Sequence, residues 1–597
     1  MRNSLSNRFY IIIGFCAAMA VTSAAQTFTN LYSFSGSDGM FPYREAMVQG
    51  LDGNFYGTTE NGGADNYGLV FKMTPDGTVT TLHEFVGTDG EYPPAGLVQD
   101  GDGNLYGTVR TGGPGSGGVY KITPQGALNI LHGFNAAGDG SGTYAPVFLA
   151  SDGNLYGVSI NGGGFLGASG TVFQISTDGT HYAILYTFCA QTNCTDGAHP
   201  FGGVVEGPDH NIYGTTQQGG AYNGGVVYRV TVSGTLTVLH NFNDSVDGSG
   251  PRGKLILAND GYLYGTTYTG SPHHHGTVFK IKPDGTSFAT VFQFCPDNGC
   301  AAGNTPETGV MQASDGNFYG SGGSGGHYGR GTVYRLTPDG QATSIHDFCN
   351  CGDGSNPYTD LILASDGLFY GVTYIGGASN NGTIFKLTGP PLISTTTALG
   401  TAPNPSHEGQ PVTMTATVHG QNGLTPTGAV IFLSDGIQVG AGVLNFGVAV
   451  LNYSGLSMGT HNIVVVYQGG GGFAGSTSNA VQQVVELPLS TTTVTGTPNP
   501  SVAGDQVTIT ATVAPSGPPA PTGTVSFASN GSAIPGCTAV VLSSDAAVCT
   551  TSALAVGTDA IVATYSGDAN YSPSSGSVTQ IVNPVPSPLQ FVAITPC

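Results

Sequence analysis

Short apolar runs rich in Val, Ile, Leu, Tyr and Phe recur from residue 28 to residue 388, each bounded by Gly, Asp, Asn, Ser or Pro. Runs this short, with turn-forming punctuation and no helical period, predict β-strands. The unit is clearest between residues 96 and 134, where 96–99, 105–109, 118–123 and 127–134 predict four strands joined by glycine-rich connections.

The unit repeats. A Tyr-Gly step following a turn such as SDGN occurs at Tyr56, Tyr106, Tyr156, Tyr213, Tyr264, Tyr319 and Tyr370, at spacings of 50 to 57 residues. Four strands in about 50 residues is the size of one β-propeller blade. The fourth-strand motif, an aliphatic residue, two positions and Phe, begins at 31, 82, 131, 185, 239, 291 and 345. Its first copy precedes every complete unit, and the last unit ends near 388 without one. The N-terminal strand is therefore expected to complete the last blade, removing two free sheet edges.

A second repeat begins after residue 389. STTTALGTAPNP at 394–405 matches STTTVTGTPNP at 490–500, and PTGAVIF at 426–432 matches PTGTVSF at 521–527. The offset of about 95 residues suits immunoglobulin-like sandwiches, and alternation over 412–418 and 507–513 predicts strands with one buried face. The predicted fold is all-β: a seven-bladed β-propeller (26–389) followed by two immunoglobulin-like β-sandwiches (390–486 and 487–583), then a Pro-rich linker (584–597). The abrupt ending FVAITPC leads to the expectation of a further module or anchor beyond it.

Turn chemistry accounts for the recurring heptapeptide SDGNLYG. Asp152 is placed to accept backbone N–H groups, Gly153 and Asn154 tolerate positive φ, and Leu155 and Tyr156 open the next strand. The D-x-D-x-N start of a calcium loop occurs only at 100–104 and lacks the downstream bidentate Glu, so these read as turns, with no metal site. His83, His132, His240 and His346 recur at one fourth-strand position and read as structural.

Composition narrows the function. The 97 glycines follow no collagen-like period and fit tight turns. A net charge of −22, with only 14 Lys plus Arg spread along the chain, excludes a nucleic-acid partner. Residues 1–25 read as a signal peptide: Arg2 and Arg8, an apolar run over 9–21, then Ser23-Ala24-Ala25 before Gln26. That run is too short to span a bilayer, and no later segment qualifies, so the mature chain has no transmembrane span and is secreted or held at the cell surface. Export suits the cysteines, whose spacing predicts local disulfides Cys189 with Cys194, Cys295 with Cys300, Cys349 with Cys351, and Cys537 with Cys549, the last stapling a hairpin. Zinc would need four ligands converging from separate loops and is the lesser reading.

The SDGNLYG turns, the Gly-Gly pairs at 62, 112, 162, 219 and 376, GTVFKIKPDG at 276–285 and the LHxF motif together resemble the Gloeobacter/Verrucomicrobia (GloVer) tandem repeat of exported bacterial proteins, over about 360 residues. YSGDANYSPS at 565–574 resembles group 3 bacterial Ig-like (Big3-type) domains; the first module departs there, reading YQGGGGFAGS at 467–476. The resemblance implies export and architecture and brings no catalytic residues or cofactor.

Strand direction puts the uniform SDGN and PDG turns on one rim and the variable connections on the other, where loops carry binding function. On that variable rim the candidate ligand-binding residues are Tyr144, Tyr222, His273, His274, His275, His327 and Tyr328, for sugar stacking or polar capture; the preferred reading of each is a solvated loop residue. Asp139, Asp196, Asp247, Asp297 and Asp353 also fall in variable connections. No H-E-x-x-H or P-loop is present, and no catalytic residue is assigned. The expectation is a non-catalytic binding or adhesion protein, its propeller facing an extracellular glycan or surface protein and its sandwiches acting as spacers. The alternatives are a polysaccharide lyase or hydrolase drawing carboxylates from separate blades, and a structural surface stalk.

Overall fold

Each Tyr-Gly repeat folds into one four-stranded antiparallel sheet, as its alternating runs and turns dictate. The computed structural model describes residues 27–587 except 45–46, 136–137, 165–168, 271–272, 297–298, 422, 516 and 518. The expected signal peptide and residues 588–597 lie outside the described residues.

The repeat chosen above forms strands Val98–Gln99, Leu105–Val109, Gly118–Ile122 and Leu128–Gly133, paired in chain order. The first is shorter than predicted because its lead-in is bonded to a neighbouring sheet: the Thr58 hydroxyl donates to the Ala95 carbonyl at 2.8 Å. Seven such sheets form, numbered here by their Tyr-Gly anchors from Tyr56 to Tyr370. Sheet 7 takes its outermost strand from the chain start, with Phe28–Ser33 antiparallel to Thr383–Thr388.

Seven apolar clusters join the sheets in a ring. Phe55 and Phe71 of sheet 1 pack against Tyr370 and Val372 of sheet 7, and Tyr56 and Val70 against Leu105 and Tyr120 of sheet 2. The same arrangement joins Tyr106 to Phe173, Tyr156 to Tyr228, Tyr213 to Phe279, Tyr264 to Tyr334 and Tyr319 to Phe385. Every sheet thus has a neighbour on both faces, and each buried aromatic or aliphatic contributes about 1.5–3 kcal/mol.

The anchor works as a unit. The Tyr156 hydroxyl donates to Asp152 Oδ2 at 2.7 Å, while Asp152 Oδ1 accepts the Asn154 N–H at 3.0 Å. Gly153 takes φ +82°, whereas Asn154 is already the first residue of strand Asn154–Ser159. Gly157 is required for space: a Cβ there would fall on the Phe173 ring that crosses it from the third strand. Tyr–Asp bonds of 2.7–2.9 Å recur in all seven sheets.

Two sandwiches follow, each a three-stranded sheet facing a larger one in the same strand order. In the first, strands Thr395–Ala402, Val412–Gly420 and Val448–Tyr453 make the small sheet; in the second, Ser490–Thr497, Val507–Pro515 and Ala546–Thr551 do. The predicted disulfides are present. Cys537–Cys549 joins the two sheets, where a hairpin staple was expected: the Cys537 carbonyl accepts the Phe527 N–H at 2.9 Å on the large sheet, while Cys549 lies in the small one.

The glycine-rich loop of the first sandwich docks on the SDGN rim. The Gly471 N–H donates to the Leu363 carbonyl at 3.1 Å and Gln468 Nε2 to the Leu51 carbonyl at 2.9 Å. Gly472 sits where any Cβ would strike Ser314 Oγ. A cleft of about 890 Å³ remains beside this contact, lined by Gln49, Gln99, Ser365 and Gly469.

Candidate functional site

The opposite rim carries the connections that differ between repeats. In every sheet an isolated bridge ties the lead-in of the first strand to the residues just after the second, from Met40 with Asn61 to Ser355 with Ile375. Both segments are thereby held at one end of the ring axis. Equivalent lead-in positions carry Tyr43, Pro94, Tyr144, Phe201, Arg252, Glu307 and Tyr358, and those after the second strands include Glu60, Arg110, Tyr268 and Tyr374.

These residues converge around the axis at this end, here called the funnel. The rings of Tyr144 and Phe201 stack at 4.8 Å, and Tyr43 meets Tyr358 and Tyr374 edge-on at 5.9 and 5.5 Å. The Arg252 guanidinium lies 3.7 Å over the Tyr268 ring and donates from Nη1 to Glu307 Oε1 at 2.7 Å. Arg110 pairs with Glu60 and stands 5.4 Å over Tyr144. Lys254 lies 3.4 Å from Asp360.

Arg44 closes the base of this funnel. Its Nη1 donates to the carbonyls of Tyr144 and Phe201, both at 3.3 Å, and Nη2 to those of Arg252 and Glu307 at 3.0 and 2.9 Å. The acceptors come from sheets 3, 4, 5 and 6, so one side chain from sheet 1 spans the axis. A longer lead-in permits this reach: Phe41 to Val48 is seven steps, against six from Tyr92 to Val98, both starting at a positive-φ residue.

Charge placement is selective. Lys72, Lys121, Arg229, Lys280, Arg335 and Lys386 stand opposite the anchor tyrosines as part of the sheets. Four of the remaining basic residues, Arg44, Arg110, Arg252 and Lys254, are at the funnel. Burial pushes the Tyr43 hydroxyl up to about 12, against the pull of Arg44 and with the aid of Glu307. Burial likewise raises Tyr358 and Tyr374, so these phenols stay protonated. It also raises Glu60, opposed by Arg110. Glu307 Oε2, Asp360 Oδ1 and Arg44 Nε are buried with no hydrogen-bond partner among the described residues.

Of the residues singled out from sequence, Tyr144 alone belongs to this cluster. Tyr222 and Tyr328 are exposed at 64% and 57%, on separate loops after the second strands. The His327 ring meets Tyr328 edge-on at 4.7 Å. His273 is half-buried, and His274 Nδ1 lies 3.5 Å from Asp244. The His275 ring approaches Cys295 and Cys300, whose sulfurs are bonded to each other and have no thiolate to offer a metal. Among the described contacts, none joins these groups to Tyr144.

The acidic loop residues are structural caps. Asp139, Asp247 and Asp353 accept from Nε2 of His132, His240 and His346 at 2.6, 2.8 and 3.2 Å, and Asp196 accepts the Tyr186 hydroxyl at 2.8 Å. Each also lies within hydrogen-bond reach of a loop N–H. Asp297 lies outside the described residues. The reading of the fourth-strand histidines as structural matches this arrangement.

The funnel residues missed from sequence, Tyr43, Arg44, Phe201, Arg252, Glu307, Tyr358 and Asp360, left one signal. The seven lead-ins FPYR, YPPA, GTYA, HPFG, GPRG, TPET and NPYT align, and their third residue, which changes between aromatic, Pro, Arg and Glu, is the one at the funnel.

Comparison with known families agrees with the repeat architecture. A family model described as the Gloeobacter/Verrucomicrobia repeat matches residues 16–193, 114–302, 205–443 and 298–495. The bacterial Ig-like domain (group 3) matches residues 494–583. The expectation of two such Ig-like domains thus narrows to one: the first sandwich has the strand order but replaces YSGDANYSPS with its docking loop. No curated protein matches the chain.

Solved structures are similar only distantly. An extracellular domain assigned to a hybrid two component system of B. thetaiotaomicron is 11% identical, with TM-score 0.39, covering 78% of this chain and 59% of its own. The chain thus spans about three fifths of that structure's length. Porphyromonas gingivalis dipeptidyl peptidase 4 is 10% identical, with TM-score 0.30, covering 70% of this chain and 60% of its own. Fibronectin(III)-like modules of Clostridium thermocellum CbhA are 18% identical, with TM-score 0.15, covering 31% of this chain and 94% of theirs.

Proposed function

The chain belongs to the Gloeobacter/Verrucomicrobia repeat family, and from that premise we propose that it is an exported, non-catalytic protein whose seven-sheet ring holds an extracellular glycan in its funnel. The observation that carries this is the ring of aromatic side chains interleaved with paired charges at one end of the axis. Sugar rings present C–H faces that pack on aromatics and hydroxyls that bond to Arg and carboxylate groups, and a concave site with a few convergent polar groups is where ligands bind. The protruding aromatics Tyr222 and Tyr328 and the His273–His275 run offer further contacts around the rim.

Four disulfides favour an oxidising compartment, and among the described residues no helix is long and apolar enough to cross a membrane. We divide the chain into a ring over 26–389 and sandwiches over 390–486 and 487–583, the latter pair acting as spacers. The lyase or hydrolase alternative is weaker. Each funnel carboxylate faces a cation, and the phenols are held protonated, leaving neither a raised acid free of a partner nor a ready phenolate base.

A glycan array probed with the full mature chain tests the reading. Retention of at least one glycan is expected, with at least tenfold weaker binding in Tyr144→Ala and Tyr358→Ala. A silent array, or variants that bind like the wild type, refutes it.

A further inference from the structure

We propose that the funnel receives the end of a neutral glycan chain, hydroxyls first, rather than an internal stretch or an acidic sugar. This deepens the glycan-binding reading and rests on it.

The funnel is blind. The Arg44 guanidinium spans it by bonding to carbonyls of four sheets, and Arg44 is only 4% exposed. Around it the innermost backbones of neighbouring sheets are in contact: a Cβ on Gly309 would lie 2.6 Å from the Lys254 carbonyl oxygen, and one on Gly202 2.5 Å from that of Gly253. The opposite end of the ring carries the docked sandwich. A polymer cannot be threaded through such an axis, so a chain that reaches its base arrives by a terminus.

The unmatched groups select the chemistry. Glu307 is 7% exposed, and its Oε2 has no hydrogen-bond partner among the described residues, although Oε1 holds Arg252. Asp360 Oδ1 is a second such acceptor, and Arg44 Nε a donor in the same state. Burying such groups without partners is costly. A ligand that answers all three must donate and accept, as a sugar hydroxyl does. A uronate carboxylate has no proton to give Glu307 or Asp360 at neutral pH and would sit beside two like charges. Arg110, Arg252 and Lys254 already face Glu60, Glu307 and Asp360, and Arg44, which faces no carboxylate among the described residues, has Nη1 and Nη2 committed to four carbonyls and only Nε left to offer.

The test uses the full mature chain and isothermal titration with free hexasaccharides of glucose, xylose, mannose and galacturonate, together with their parent polymers. At least one neutral hexasaccharide is expected to bind, with the same Kd as its trisaccharide and as its polymer counted per chain end. Glu307→Gln, which replaces an acceptor by a donor, is expected to weaken that binding at least tenfold while its thermal unfolding stays unchanged. Should Glu307→Gln unfold, Tyr144→Ala supplies the same comparison. Affinity that grows with polymer length, binding to polymers without binding to hexasaccharides, preference for oligogalacturonate, or an unaffected Glu307→Gln would each overturn the chain-end reading while leaving glycan binding intact. A silent array together with silent titrations would sink both.

Discussion

Tyr156 and Asp152, four residues apart, close the turn between the first two strands of sheet 3 through a 2.7 Å bond from the phenol to the carboxylate. The tyrosine side chain is buried in the cluster shared with sheet 4, so one residue fixes both the local turn and the inter-sheet contact. Tyr156→Phe keeps the packing and removes the charge-assisted bond, for an expected loss of about 1–2 kcal/mol. Asp152→Ala should cost a similar amount, and the double variant less than the sum of the two, because they share one bond. Urea unfolding midpoints of the three variants check this; strict additivity would contradict it.

The same pairs set the pH limits of the fold. Burial, aided by Asp209, pushes Tyr213 up to about 12, and burial and Asp38 do the same for Tyr32. The folded state then holds protons that the unfolded chain has released above its phenol pKa of 10, so stability present below pH 10 falls as pH rises toward 12. At the acid end burial would raise Asp152, but Asn154 and Tyr156 outweigh it and hold the carboxyl below its usual value. Its contribution is present above the ordinary carboxylate pKa and is lost as pH falls through the lowered one. His346 adds a step near neutrality: burial lowers its pKa despite Asp353, so its contribution is lost as pH drops below about 6.5. Thermal melts across pH 3–12 should show a fall above pH 10 that Tyr213→Phe diminishes; an alkaline limb insensitive to that change would argue against it.

Much of the ring was legible because its cause is local. The turn at Asp152, the anchor at Tyr156 and the fourth-strand histidines repeat with one spacing, and sheets assembled from repeats inherit it. The funnel was not legible for the opposite reason. Arg44 finds its acceptors 100 to 263 residues away, and no local pattern announces that a one-residue extension of a lead-in will carry a guanidinium across an axis. Asp139 and Asp247 looked like free loop acids because their partners, His132 and His240, belong to another motif. Gly472 looked like a degenerate sandwich loop because its neighbour, Ser314, lies in a different domain of the chain.

That contact gives a third expectation. Gly472→Val places a side chain against Ser314 and is expected to lift the glycine loop, with loss of the bond from Gly471 to Leu363, at a cost of about 1–3 kcal/mol. X-ray scattering should report a larger radius of gyration, and proteolysis near residues 389–393 should quicken, with both sandwiches still folded. Unchanged scattering and cleavage would mean that the contact does not hold the two parts together.

The pairing of Phe28–Ser33 with Thr383–Thr388 has a consequence for biogenesis. The strand nearest the chain start is the first to be synthesised, yet its partner is the last of the repeat segment to follow. Until then the chain is an open arc, with a reserved strand at one end and an incomplete two-stranded sheet at the other. Closure is a long-range event of high contact order, which makes it slow. A repeat segment halted one strand short would therefore keep both edges bare and available to other chains. Completion of residue 388 is the point at which the repeat segment can cover both of those edges at once.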